Sequence, residues 1–149
     1  MTDSARIEAD LLAALNADPR IPAPDEIAVK AIDGAVSLRG TVGSFAQRRA
    51  AANDAHNIAG VYDVGDELQV RLLDVYQRED AEIRGVALQM LMWDVELPSE
   101  SIDVKVTDGW VTLKGDVDFQ FQSDAAFDDV ANLFGVVGIS NEIRVVEIR

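Results

Sequence analysis

The chain repeats itself. The stretch "VKAIDGAVSLRGTV" returns 75 residues later as "VKVTDGWVTLKGDV". At that offset Ile27 falls on Ile102, Asp33-Gly34 on Asp108-Gly109, and Val36, Leu38, Gly40 and Val42 on Val111, Leu113, Gly115 and Val117. Further along, Ala50-Ala51 meets Ala125-Ala126, Asp54 meets Asp129, Asn57 meets Asn132, and Gly60-Val61 meets Gly135-Val136. Upstream the offset becomes 76, and Ile7, Leu12 and Leu15 fall on Ile83, Leu88 and Leu91. A loop one residue shorter ahead of the first strand of the second copy accounts for the change. The period exceeds the roughly 20–50 residues of solenoid and propeller repeats, so each copy is expected to be a small domain.

Both copies carry the same pattern of elements. "DSARIEADLLAALNAD" places Ile7, Leu11, Leu12 and Leu15 on one helical face, with Asp3 or Ser4 as cap. Pro19, Pro22 and Pro24 end that helix. "EIAVKAI" and "AVSLRGTV" alternate with period two around Asp33-Gly34, the pair that a type I′ hairpin turn favours. This predicts Ile32 opposite Ala35 and Lys30 opposite Ser37, with Val29 and Leu38 on the buried face. "SFAQRRAAANDAHNI" reads as a second helix, started by Ser44 and closed by Gly60, and "ELQVRL" as a third strand. The expectation is an α+β fold of two α-β-β-α-β modules, residues 1–72 and 73–149. In each, two helices pack on one face of a three-stranded sheet.

The arrangement of hairpin, alanine-bearing helix and the Gly-Val entry to the third strand ("AGVYDV", "FGVVGI") resembles the BON domain. That is the bacterial module of osmotic-shock periplasmic proteins and nodulation-related proteins. The resemblance spans nearly the whole chain, in two copies. It implies a non-enzymatic binding or scaffold protein linked to osmotic or envelope stress, associated with membrane phospholipid or envelope components. It also implies an alternative, since cytoplasmic members of the family respond to potassium, a monovalent cation. A third reading is a protein–protein interaction module without a small ligand.

Composition narrows the function classes. The net charge is −14, with 7 basic and 11 acidic residues up to Leu72 (−4) and 6 basic and 16 acidic beyond it (−10). Such a field repels phosphate backbones, so nucleic acid is not an expected partner. Cysteine is absent, which excludes disulfides, zinc–thiolate sites and a Cys nucleophile. "MTDSARIEAD" is acidic and lacks the apolar segment of a secretory signal, so the expected compartment is the cytoplasm, or the periplasm if a leader is removed.

The residues that usually carry chemistry do not assemble into a motif. His56 is the one histidine, and Ala131 replaces it in the second copy. No nucleophile elbow, P-loop or G-x-G-x-x-G pattern occurs. "DVDFQFQSDAAF" starts like a calcium loop at Asp116 and Asp118, but Phe121 stands where the turn needs glycine and Phe127 where a glutamate belongs. Asp124 and Asp128 lie one helical turn apart and read as a solvated face. Arg48-Arg49 likewise reads as an exposed face. No catalytic, metal-binding or cofactor-binding residues are expected.

The copies differ most in apolar bulk. On the first helix Asp10, Ala14 and Ala17 become Val86, Met90 and Trp93, a second stripe beside the core. On the second helix Ala46, Ala52 and Ala59 become Phe121, Phe127 and Phe134. Ala35 becomes Trp110 on the sheet face away from the helices, a face that Val146 and Ile148 are expected to share by alternation. One copy folds without this surplus. The extra surface is therefore expected to form an interface, either by packing module on module within the chain or by homo-oligomerisation, with a ligand or acyl-chain groove as a further reading. The connector "LDVYQRE" is short and lacks the Gly and Ser of a flexible tether.

Overall fold

The structure, a computed structural model, describes residues 3–146. The chain divides into two compact units, Met1–Arg71 and Leu72–Arg149. In the first, helix α1 (Asp3–Ala17) precedes strands β1 (Ile27–Ile32) and β2 (Ala35–Val42), then helix α2 (Phe45–His56) and strand β3 (Asp63–Val70). The second repeats the order with α3 (Asp80–Trp93), β4 (Ile102–Thr107), β5 (Trp110–Val117), α4 (Gln120–Ala131) and β6 (Gly138–Val145). This is the α-β-β-α-β plan that the repeat predicts.

Each hairpin forms in the expected register, with Ile32 opposite Ala35, Lys30 opposite Ser37 and Val29 opposite Leu38. Asp33 and Gly34 both have positive φ (50° and 89°), as do Asp108 and Gly109 (50° and 81°). That is the left-handed pair a type I′ turn requires. The turn is also held from outside: Ser4 Oγ accepts a hydrogen bond from Asp33 N (3.2 Å). In the second unit the Asp80 carboxylate accepts from Asp108 N (2.9 Å) and Gly109 N (3.0 Å).

The sheet orders are β1-β2-β3 and β4-β5-β6. The central strand is antiparallel to the hairpin partner and parallel to the last strand. A parallel neighbour needs a crossover rather than a tight turn, and α2 and α4 supply it. Ile7, Leu11 and Leu15 of α1 and Ala50, Ala51 and Ala55 of α2 join Val36, Leu38 and Val42 in one core. Small residues on α2 let that helix lie close to the sheet. In the second unit Ile83, Ala87 and Leu91, with Ala126 and Val130, are buried alongside Val104, Val111 and Leu113. Each large apolar side chain so buried contributes about 1.5–3 kcal/mol.

Several local expectations are corrected. Leu12 is 43% exposed and flanks the core rather than joining it. Helix α2 ends at His56, and Gly60 (φ 92°) lies in the turn beyond rather than directly at the cap. Phe134, equivalent to Ala59, accordingly lies past the end of α4 and not on the helix. Arg48 is not on a free face: it is half-buried and pairs with Asp66 at 3.0 Å. Val146 is exposed beyond β6, and Ile148 lies outside the described residues.

Candidate functional site

The second unit holds the surplus apolar residues, and the fold distributes them over several places. Val86, Met90 and Trp93 are exposed along one side of α3, next to the buried Ile83-Ala87-Leu91 stripe. Val86 and Phe134 come together in a groove of about 270 Å3, lined also by Arg78, Glu82, Ile83 and Leu133. Phe134 is held there by the connector. Tyr76 stacks on its ring at 5.5 Å between centroids, and the Arg78 guanidinium lies 5.5 Å from the ring centre. Arg78 also donates to Val75 O and Gln77 O, bonds internal to the connector.

The other predicted residues lie elsewhere. Phe121 stacks on Phe119 at the start of α4, and Phe127 is half-buried. Trp110 stands on the outer face of the sheet, directly opposite Gly138 in the register. Its ring occupies the space that a side chain at Gly138 would fill, and its Nε1 donates to Ser140 Oγ (2.8 Å). Trp110 therefore has a packing role of its own.

The end of α3 adds two residues that the sequence reading missed, Met92 and Val95, to Trp93, which it named. Met92 is 69% exposed, Trp93 67% and Val95 99%. In the first copy the equivalent positions hold Asn16, Ala17 and Pro19. Comparison at the 76-residue offset, continued past Trp93, would have revealed them. Three large apolar side chains thus project from one helix end where the sister unit has none.

Beneath that end sits a pair of carboxyl groups present in both units. In the first, Asp18 Oδ1 accepts from Arg20 N (2.9 Å), and Arg20 Nη2 lies 2.8 Å from Asp18 and 3.4 Å from Asp54 on α2. Arg20 holds the Asp18 carboxyl well below the usual carboxylate range. Burial, with Asp18 as hydrogen-bond partner, pushes Asp54 up to about 6. In the second unit Asp94 Oδ1 accepts from Glu96 N (3.0 Å), so the loop has the same local form. Glu96, however, occupies the position of Arg20. Burial, a hydrogen bond with Asp94 and the charges of Asp94, Asp128 and Glu96 push Asp129 up to about 7. Asp54 Oδ2 and Asp129 Oδ2 are both buried without a hydrogen-bond partner.

Other features carry less. Lys114, Asp116, Glu142 and Arg144 line an open depression on the second sheet, and there Arg144 pairs with Asp116 (2.9 Å) and Lys114 with Glu142 (4.0 Å). Among the described residues no group of three or more His, Cys, Asp or Glu is placed to hold a metal ion. No helix among them is long and apolar enough to cross a membrane.

The sequence profile of the BON domain matches residues 3–71 and 79–147. Osmotically-inducible protein Y of Escherichia coli (strain K12) is 36% identical over 149 residues, covering 97% of this chain and 73% of that protein. Among solved structures, two of CdsD, a structural protein of the type III secretion system of Chlamydia trachomatis, align over 97% of this chain. They cover 68% and 64% of those chains, with TM-scores of 0.40 and 0.42 and 11% identity in each case. At that distance the likeness bears on neither function nor partners.

Proposed function

The chain belongs to the BON-domain family, with two copies of the domain, and from that premise we propose that it is a peripheral membrane-associating scaffold whose second unit makes the lipid contact. The setting is osmotic stress and the role non-enzymatic, in keeping with the family and with the osmotically-inducible relative. The observation that carries the lipid reading is the exposed Met92, Trp93 and Val95 at the end of α3. Transfer of apolar side chains into the acyl boundary of a bilayer is favourable, and tryptophan suits the interface because its ring is apolar and its N–H polar. The second half has a net charge of −10, so electrostatics would oppose anionic headgroups. The contact proposed is therefore apolar, with a zwitterionic surface.

Co-sedimentation with phosphatidylcholine vesicles tests this. The protein is expected to pellet with lipid, and Trp93→Ala to weaken the partition by about 2 kcal/mol, roughly thirtyfold. Ala17→Asp, the matching position in the first unit, is expected to leave binding unchanged. Equal recovery in the supernatant with and without vesicles would overturn the reading.

A further inference from the structure

The two carboxyl pairs are the same device built twice, with one change. The loop after α1 and the loop after α3 fold back identically, through Asp18 O to Ile21 N (3.1 Å) and Asp94 O to Leu97 N (3.1 Å). In the first, one guanidinium touches both Asp18 and Asp54 of the following helix; in the second, Asp94 and Asp129 hold the equivalent places, and the Oδ2 atoms of Asp54 and Asp129 are alike buried without a partner. Two carboxylates cannot both ionise at hydrogen-bond distance without a compensating charge. The first unit has that charge in Arg20, which reaches both partners. The second has Glu96 there, a further negative charge.

We propose that Asp94 and Asp129 form an acid-held clasp, in which one shared proton fastens the loop after α3 to α4 and loss of that proton releases it, while the arginine-bridged first unit stays closed. Asp129 is the donor and Asp94 the acceptor when the clasp is shut. The charges acting on Asp129 come from the loop, Asp94 and Glu96, and from its own helix, Asp128; all are acidic. On ionisation the pair repels, while the bond from Gln122 Nε2 to Glu96 O (3.1 Å) still ties loop to helix. Met92, Trp93 and Val95 sit on the moving end.

The direction with pH follows from linkage. Asp129 titrates at about 7 in the folded unit and at about 4 in an unfolded chain. Between those values the folded state binds more protons, so the clasp's contribution is full below about pH 4 and is lost as pH rises through about 7. In the first unit Asp54 titrates lower, at about 6, and its ionised form is still neutralised by Arg20.

Hydrogen exchange on the full-length protein, without lipid, tests the clasp independently of the membrane reading. After correction for intrinsic rates, amides of residues 93–101 and of α4 are expected to lose protection on the order of tenfold between about pH 5 and about pH 8. The loop at 17–26 should change far less. Glu96→Arg, which installs the first unit's solution, should abolish the loss, and Arg20→Glu should transfer it to the first unit. Equal protection of residues 93–101 at both pH values, or a loss that persists in Glu96→Arg, would overturn the proposal. Should Glu96→Arg not fold, carboxyl carbon NMR of the unmodified protein decides: an Asp129 signal that titrates near neutrality supports the clasp, and one that titrates below about pH 5 refutes it.

Discussion

At the scale of single residues, duplication has preserved geometry while exchanging chemistry. Asp66 Oδ1 accepts from Leu68 N (3.1 Å), and its other oxygen takes the Arg48 guanidinium. At the equivalent site Asn141 Oδ1 accepts from Ile143 N (3.2 Å), and its Nδ2 donates to the buried Ser123 Oγ (2.9 Å). A half-buried ion pair in one unit is thus a neutral hydrogen bond in the other, each satisfying the same turn of backbone. Arg48→Ala, which strands Asp66, is expected to cost about 1 kcal/mol in urea unfolding. Arg48→Ser combined with Asp66→Asn, which rebuilds the second unit's pair, should recover most of that loss. No recovery in the double variant would mean the two pairs are not equivalent.

At the scale of elements, hairpins and helices were legible in the residues and the contacts between them much less so. Alternation plus Asp33-Gly34 specifies which residue faces which across β1 and β2, because a two-residue turn leaves no freedom of register. The parallel pairing of β2 with β3 depends on how α2 crosses over, which periodicity does not encode. Asp18 and Asp54 lie 36 positions apart in the sequence and meet only through packing of the loop against α2, so neither spacing nor composition announces them. The surplus aromatics were visible, but their destinations were not, since Phe134 falls beyond the helix that the copy comparison assigned it to. There it anchors the connector. Phe134→Ala should remove the Tyr76 stacking and the Arg78 contact, worth about 1 kcal/mol together. Limited proteolysis is expected to cleave residues 72–79 faster in that variant while global unfolding stays nearly unchanged. An unaltered cleavage rate would show that the connector is held by other means.

At the scale of the whole molecule, one fold occurs twice with different chemistry at matching places. The first unit has an arginine-bridged carboxyl pair and small or polar residues at the end of α1. The second has an unbridged pair and an apolar tip at the end of α3. The proposed entry of this tip into lipid can be read directly from Trp93. The chain has two tryptophans, so Trp110→Phe leaves Trp93 alone while a ring still covers Gly138. On adding phosphatidylcholine vesicles, the Trp93 emission is predicted to shift to the blue and to be quenched by lipids brominated in the acyl chain. An emission maximum that stays where it was in buffer, unaffected by the brominated lipid, would contradict the account.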